Sequence, residues 1–180
     1  MAFTSVVDGR GYVWLVSTKG NGLAEVREAG GVNETQPVFS PDGEHIYYVS
    51  DENGSRDIWV MDANGANPRL LIETPEDAYD PAIAPDGNQL ALIVETDGNP
   101  DLWLYRVDSE ELLRLTDTPE IESAPTWMSG SLRIVYARAD EDGSYTHLTL
   151  PTILRVKISL LAGSKTKIAW LVLRCISFIC

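Results

Sequence analysis

An all-β fold, assembled from four-stranded antiparallel units that repeat every 44 residues, is what this sequence predicts. Three observations carry that expectation. Laying residues 37–80 over residues 81–124 without a gap gives 11 identities in 44 positions. The segments between turn-forming residues are short and apolar, and no 3.6-residue helical period runs through them. The recurring residues are ones with mechanical roles: Pro37/Pro81, Pro41-Asp42-Gly43/Pro85-Asp86-Gly87, Gly54/Gly98, Asp57/Asp101, Trp59/Trp103, Leu71/Leu115 and Thr74-Pro75-Glu76/Thr118-Pro119-Glu120. A period in the forties with strand-type content points to the blades of a β-propeller.

Each copy reads as four strands, expected in the first complete unit near residues 38–39, 46–50, 57–61 and 70–72. Turn chemistry separates them. In Ser40-Pro41-Asp42-Gly43 and its copy at Pro85-Asp86-Gly87, proline presets φ and glycine accepts a positive φ, folding the first strand onto the second. Asn53-Gly54 and Asn64-Gly65 supply the next two reversals. The second and third strands are apolar almost without alternation, as in residues 90–94, the pattern of a strand buried on both faces. Sheets packed face to face around an axis require that pattern.

The units expected are an incomplete blade at 1–36, blades at 37–80 and 81–124, and a second incomplete blade at 125–143. The first is entered partway, since Trp14 precedes Trp59 by 45 residues and marks the same strand. In the last, Ile134 and Tyr136 repeat Ile46 and Tyr48, while Ser129-Gly130-Ser131 replaces the Pro-Asp-Gly turn. Trp14, Trp59, Trp103 and Trp127 are assigned to the cores between blades. Closed propellers take about four to eight blades, so the chain is expected to be part of a longer protein. The remaining blades of that parent chain would be its first partners. Expressed alone, its terminal sheets would leave apolar faces and strand edges in water, predicting marginal stability.

The motif P-x-[FIW]-[SA]-P-D-G, then a strand, then D-[IL]-W, resembles the TolB-type, WD40-like propeller repeat over about residues 2–143. That repeat type is found in the periplasmic TolB protein of the Tol-Pal envelope system and in the propellers of prolyl-oligopeptidase-like peptidases. The resemblance implies a non-catalytic interaction scaffold in a periplasmic or otherwise extracytoplasmic setting. Its alternative is the propeller portion of a serine peptidase whose catalytic domain lies outside this chain. Residues 144–180 abandon the pattern, and Ser-Tyr-Thr-His-Leu-Thr-Leu-Pro-Thr from Ser144 resembles translated sequencing-adapter DNA of the transposase mosaic-end type. That tail is therefore expected to form no domain.

Charge divides the chain at the same place. All 27 Asp and Glu precede residue 144, against 9 Lys and Arg, a formal charge of −18, while the remaining 37 residues are +5. So acidic a body repels phosphate backbones, which disfavours nucleic acid and leaves a protein or peptide partner of basic character. No membrane span is expected, because the apolar run at 168–173 ends at Arg174, short of the ~20 residues a crossing helix needs. The amino terminus lacks the basic-then-apolar pattern of a signal peptide. Both cysteines, Cys175 and Cys180, lie in the tail, so the body has no thiol chemistry.

No catalytic, cofactor or metal residue is assigned. His45 becomes Gln89 in the next copy, no G-x-S-x-G nucleophile elbow occurs, and a calcium loop starting at Asp62 fails where Ala66 and Asn67 replace a ligand and a glycine. Asp42 and Asp86 are assigned to their own turns. One functional surface emerges from connectivity. In an antiparallel meander the second-to-third strand loops and the blade-to-blade crossings leave at one end. There they would gather Asp51, Glu76, Asp77, Asp80, Asp97, Glu120 and Glu122 into an acidic rim.

Overall fold

The computed structural model describes residues 1–17, 22–25, 30–130, 133–139 and 145–151, of which 23–25 and 145–151 are described as backbone alone. Fourteen strands and no helix occur among them. The first sheet holds β1 (Ala2–Val7), β2 (Arg10–Val16) and β3 (Leu23–Glu25). The second holds β4 (Glu34–Phe39), β5 (His45–Ser50), β6 (Asp57–Asp62) and β7 (Arg69–Ile72). The third holds β8 (Ala78–Ile83), β9 (Gln89–Thr96), β10 (Asn99–Arg106) and β11 (Glu111–Arg114). The fourth holds β12 (Ile121–Trp127), β13 (Arg133–Ala139) and β14 (Tyr145–Pro151). Every pairing is antiparallel between neighbours in sequence, so each sheet is a meander.

The apolar runs do what burial on both faces demands. In β5, Ile46 and Tyr48 pack with Val13, Trp59 and Met61 between the first and second sheets, while Tyr47 and Val49 pack with Leu90, Leu92 and Val94 between the second and third. In β9 the intervening Ala91 and Ile93 face the other way, meeting Ile134 and Tyr136 of the fourth sheet. Leu90 through Ile93 are each 0% exposed. At about 25 cal/mol per Å² of apolar surface, these three shared cores are the main force holding consecutive sheets together. Trp59 lies in the first core, Trp103 against the second and Trp127 against the third. Trp14 is half-buried.

The unit limits at 36/37, 80/81 and 124/125 fall inside β4, β8 and β12, because each inner strand starts before the proline that phases the repeat. Regular structure also continues past residue 143. Strand β14 pairs with β13 over seven consecutive residues, from Ala139↔Tyr145 to Arg133↔Pro151, and takes the place of the third strand of a blade. An unpaired β13 edge is a template for any adjacent chain of β-branched and aromatic content, and Tyr-Thr-His-Leu-Thr-Leu supplies it. Residues 152–180 lie outside the described residues.

Candidate interaction rim and the blade junctions

The turns that phase the repeat are built alike. Gly43 donates its N–H to the Ser40 carbonyl at 2.9 Å with φ +76°, and Gly87 does the same to Ala84 at 2.9 Å with φ +77°. Asp42 and Asp86 each accept the N–H two residues on, from Glu44 and Asn88, at 3.0 Å. The Ser40 hydroxyl also donates to Asp42 and, with the Glu44 N–H, holds that carboxyl below its ordinary value. Both aspartates thus accept from backbone close by. Pro41 rests against the turn glycine of the next copy, 3.7 Å from a Cβ position at Gly87.

At the opposite end the hairpin loops and the crossings are tied to one another. Arg56, in the β5–β6 loop, donates its backbone N–H and Nε to Asp77 of the β7–β8 crossing, each at 2.9 Å, and Nη2 lies 2.8 Å from the same carboxylate. Its guanidinium stacks over Tyr79, 4.5 Å from the ring centre, and reaches within 3.7 Å of Glu95. Although partial burial works against it, the Arg56 N–H and guanidinium hold Asp77 below its ordinary value. Burial, and then the nearby Glu95 charge, push the Tyr79 hydroxyl up to about 12. Asp51 accepts the backbone N–H of Asn33 at 2.8 Å and its side-chain amide at 2.5 Å. Glu76 accepts from Gly98 N at 3.4 Å. Asp97 stands exposed at the tip of the β9–β10 turn with φ +53°, and Glu120 is half-buried on the last crossing.

Two residues assigned to this rim belong elsewhere. Glu122 is 0% exposed, enclosed in the junction between the third and fourth sheets, so it offers no charge to a partner in solution. Its strand position turns the side chain inward, which connectivity alone does not reveal. Asp80 sits on the inner strand β8 and spends its carboxylate on neighbouring inner strands: Gln36 Nε2 donates to one oxygen and Ala124 N to the other, the latter at 3.0 Å. In return Asp80 N donates to Gln36 Oε1 at 2.9 Å. Gln36, Asp80 and Ala124 are spaced by 44 residues, each precedes a proline, and each has φ of +50° to +53° at a break in strand register. Proline has no N–H for the ladder, so the strand bulges there and turns the preceding side chain towards the next blade. The recurrent residue-before-proline position was the available signal for this ladder.

A second feature missed from sequence is how Asp57 and Asp101 are used. Both are 0% exposed. Asp57 accepts the Thr74 N–H and the Ser55 hydroxyl, each at 3.2 Å, and burial pushes its carboxyl up. Asp101 holds the equivalent Thr118 N–H at 3.4 Å, and adds the Arg114 guanidinium at 2.5 Å. Each therefore clamps the start of a crossing to the strand beneath it. Among the described residues no group of three or more His, Cys, Asp and Glu is placed to hold a metal ion.

Four consecutive antiparallel meanders, packed face to face with their inner strands adjoining, are part of a β-propeller. No family model matches the chain. The fold is similar to a TolB structure from Agrobacterium tumefaciens, with a TM-score of 0.73 and 19% identity over 84% of this chain and 57% of that one. It is also similar to a puromycin hydrolase (TM-score 0.67, 16% identity, 84% of this chain and 25% of that one). A nidogen/laminin complex gives a TM-score of 0.66 at 15% identity over 78% of this chain and 52% of that one. The chain thus spans between about a quarter and just over half of these structures.

Proposed function

We propose that this chain is the propeller portion of a non-catalytic interaction protein of TolB type, working outside the cytoplasm and binding a basic peptide or protein segment at its acidic rim. The observation that carries the reading is the clustering of Asp51, Glu52, Glu73, Glu76, Asp97 and Asp117 on loops tied together at one end. Asp117 is 84% exposed and ion-paired with Arg114 at 2.8 Å. A rim of one charge sign raises the local concentration of oppositely charged segments and speeds their encounter. Similarity to TolB and to a nidogen/laminin complex supports a protein partner. The test is binding of a Lys/Arg-rich peptide at increasing salt. Affinity is expected to fall as the Debye length shrinks from about 10 Å at 0.1 M to about 3 Å at 1 M, and affinity indifferent to salt would overturn the reading.

A second reading is favoured by the puromycin hydrolase similarity. In it the same blades gate access to a serine peptidase domain carried elsewhere in the parent protein. An uninterrupted reading frame encoding an α/β-hydrolase domain with a G-x-S-x-G elbow would select this reading. A signal peptide and a small amino-terminal α/β domain would select the first.

A further inference from the structure

The junction between the third and fourth sheets encloses an acid that neither reading uses. Glu122, on β12, is 0% exposed. Its Oε1 accepts the Thr118 hydroxyl at 2.8 Å, and its Oε2 has no hydrogen-bond partner. The polar and charged groups around it come from several neighbouring elements. Strand β10 contributes the buried Asp101, the crossing contributes Thr116 and Thr118, and β13 contributes Arg138 and Tyr136, the latter also influenced by Glu120. Arg114 of β11 is already committed to Asp101 at 2.5 Å and to Asp117 at 2.8 Å.

One junction earlier, the place of Glu122 is taken by Ala78, also 0% exposed, so the fold does not need an acid there. An ionised carboxylate met only by threonine hydroxyls is costly to bury, and a second carboxylate nearby raises the cost. A bound proton removes both penalties. We propose that Glu122 holds a proton in the folded chain and makes the third-to-fourth junction a pH-sensitive joint, tighter in acid than at neutral pH.

The electrostatics agree with the geometry. Burial pushes the Glu122 carboxyl up; the Thr118 hydroxyl opposes this, the Asp101 charge adds to it, and Thr116 and Arg138 oppose it again, leaving it raised. A carboxyl raised in the folded state binds its proton more tightly there than in the unfolded chain. The resulting stabilisation is complete below the ordinary glutamate value of 4.5 and is lost as pH rises through the folded value.

Carbon-13 NMR of the full 180-residue chain, reading the Glu122 carboxyl assigned by its loss in Glu122→Gln, tests this directly. The carboxyl is expected to titrate above 4.5. Urea midpoints for the wild type should rise as pH falls from about 8 to about 5, and both Glu122→Gln and Glu122→Ala should flatten that rise. Asp57, whose carboxyl is also raised, is common to all three chains and cancels in the difference. Titration at or below 4.5, or parallel curves for wild type and variants, would overturn the proposal. So would a wild-type chain without a cooperative transition at any of these pH values, since the joint would then not form. If neither variant folds, the resonance is assigned by through-bond connectivity in the wild type, whose titration then decides alone.

Discussion

The second-to-third and third-to-fourth junctions stand on one 44-residue frame, yet they are filled with different chemistry. In the first, Ile72 and Ala78 are buried in the core and Asp57 is the acid that clamps the crossing. In the second, the equivalent places hold Thr116 and Glu122, and Asp101 is additionally paired with Arg114. The shared clamp, an aspartate accepting the N–H of a threonine, sets where the crossing leaves the sheet. The apolar residues of the strands set how strongly consecutive sheets adhere. The positions between them are free to carry either more core or a polar cluster, and this chain does one at each junction. A repeat's architecture and its electrostatics are thus separately adjustable, so identities between copies report the first and differences report the second.

The largest effect that would probe this comparison is a cavity in the apolar junction. Leu92→Ala removes a fully buried side chain from the second core and is expected to cost about 2–5 kcal/mol, measured by urea denaturation. An equal loss from emptying a polar-cluster position would break the distinction.

Next in size is the contrast between the two clamps. Asp101→Asn deprives Arg114 of its buried counter-charge and is expected to cost about 1–3 kcal/mol near neutral pH. Asp57→Asn keeps an acceptor for the Thr74 N–H and removes a charge that burial disfavours, so it should be close to neutral. The pH dependence sharpens this. With its folded value raised, Asp57 contributes stability that is present at low pH and lost as pH rises through that value, and Asp57→Asn should remove the loss. If both substitutions cost the same at every pH, the two clamps are not electrostatically distinct.

A smaller effect is expected on the axial ladder, which runs past both junctions. Asp80→Ala removes acceptors for Gln36 Nε2 and Ala124 N and should cost about 0.5–1.5 kcal/mol, with the Ala124 amide exchanging faster by hydrogen-exchange mass spectrometry or NMR. Asp80→Asn retains a carbonyl oxygen and should keep that amide protected. The smallest change belongs to Arg56→Ala. This side chain is 46% exposed, so loss of its ion pairs with Asp77 and Glu95 should cost less than about 1 kcal/mol and shrink further with salt.

Much of the fold was legible from residue order. The turns at Pro41-Asp42-Gly43 and Pro85-Asp86-Gly87, the buried run at 90–94 and the packing of Trp59 and Trp103 follow from local chemistry, since turn geometry and strand burial depend on a few adjacent residues. The end at which each loop lies was legible, because antiparallel connectivity assigns it. It does not say which way a side chain points. Glu122 and Asp80 were placed among exposed acids, whereas one is enclosed and the other faces the adjoining inner strands. The strand at 145–151 was not legible either: it begins 44 residues after Asp101, in phase with the repeat, but lacks the D-[IL]-W residues by which the third strand is recognised.

By itself, the order of residues determined the unit: four short strands, their turns, and two apolar faces that must both be covered. Those properties arise within stretches of about a dozen residues, where proline and glycine restrict φ and side chains alternate across a strand. Tertiary structure alone decided which acids share a junction, which donors they meet and which are cut off from water. Glu122 and Asp101 are 21 positions apart in the chain, and whether a carboxyl there carries charge depends on the solvent and donors that packing leaves around it.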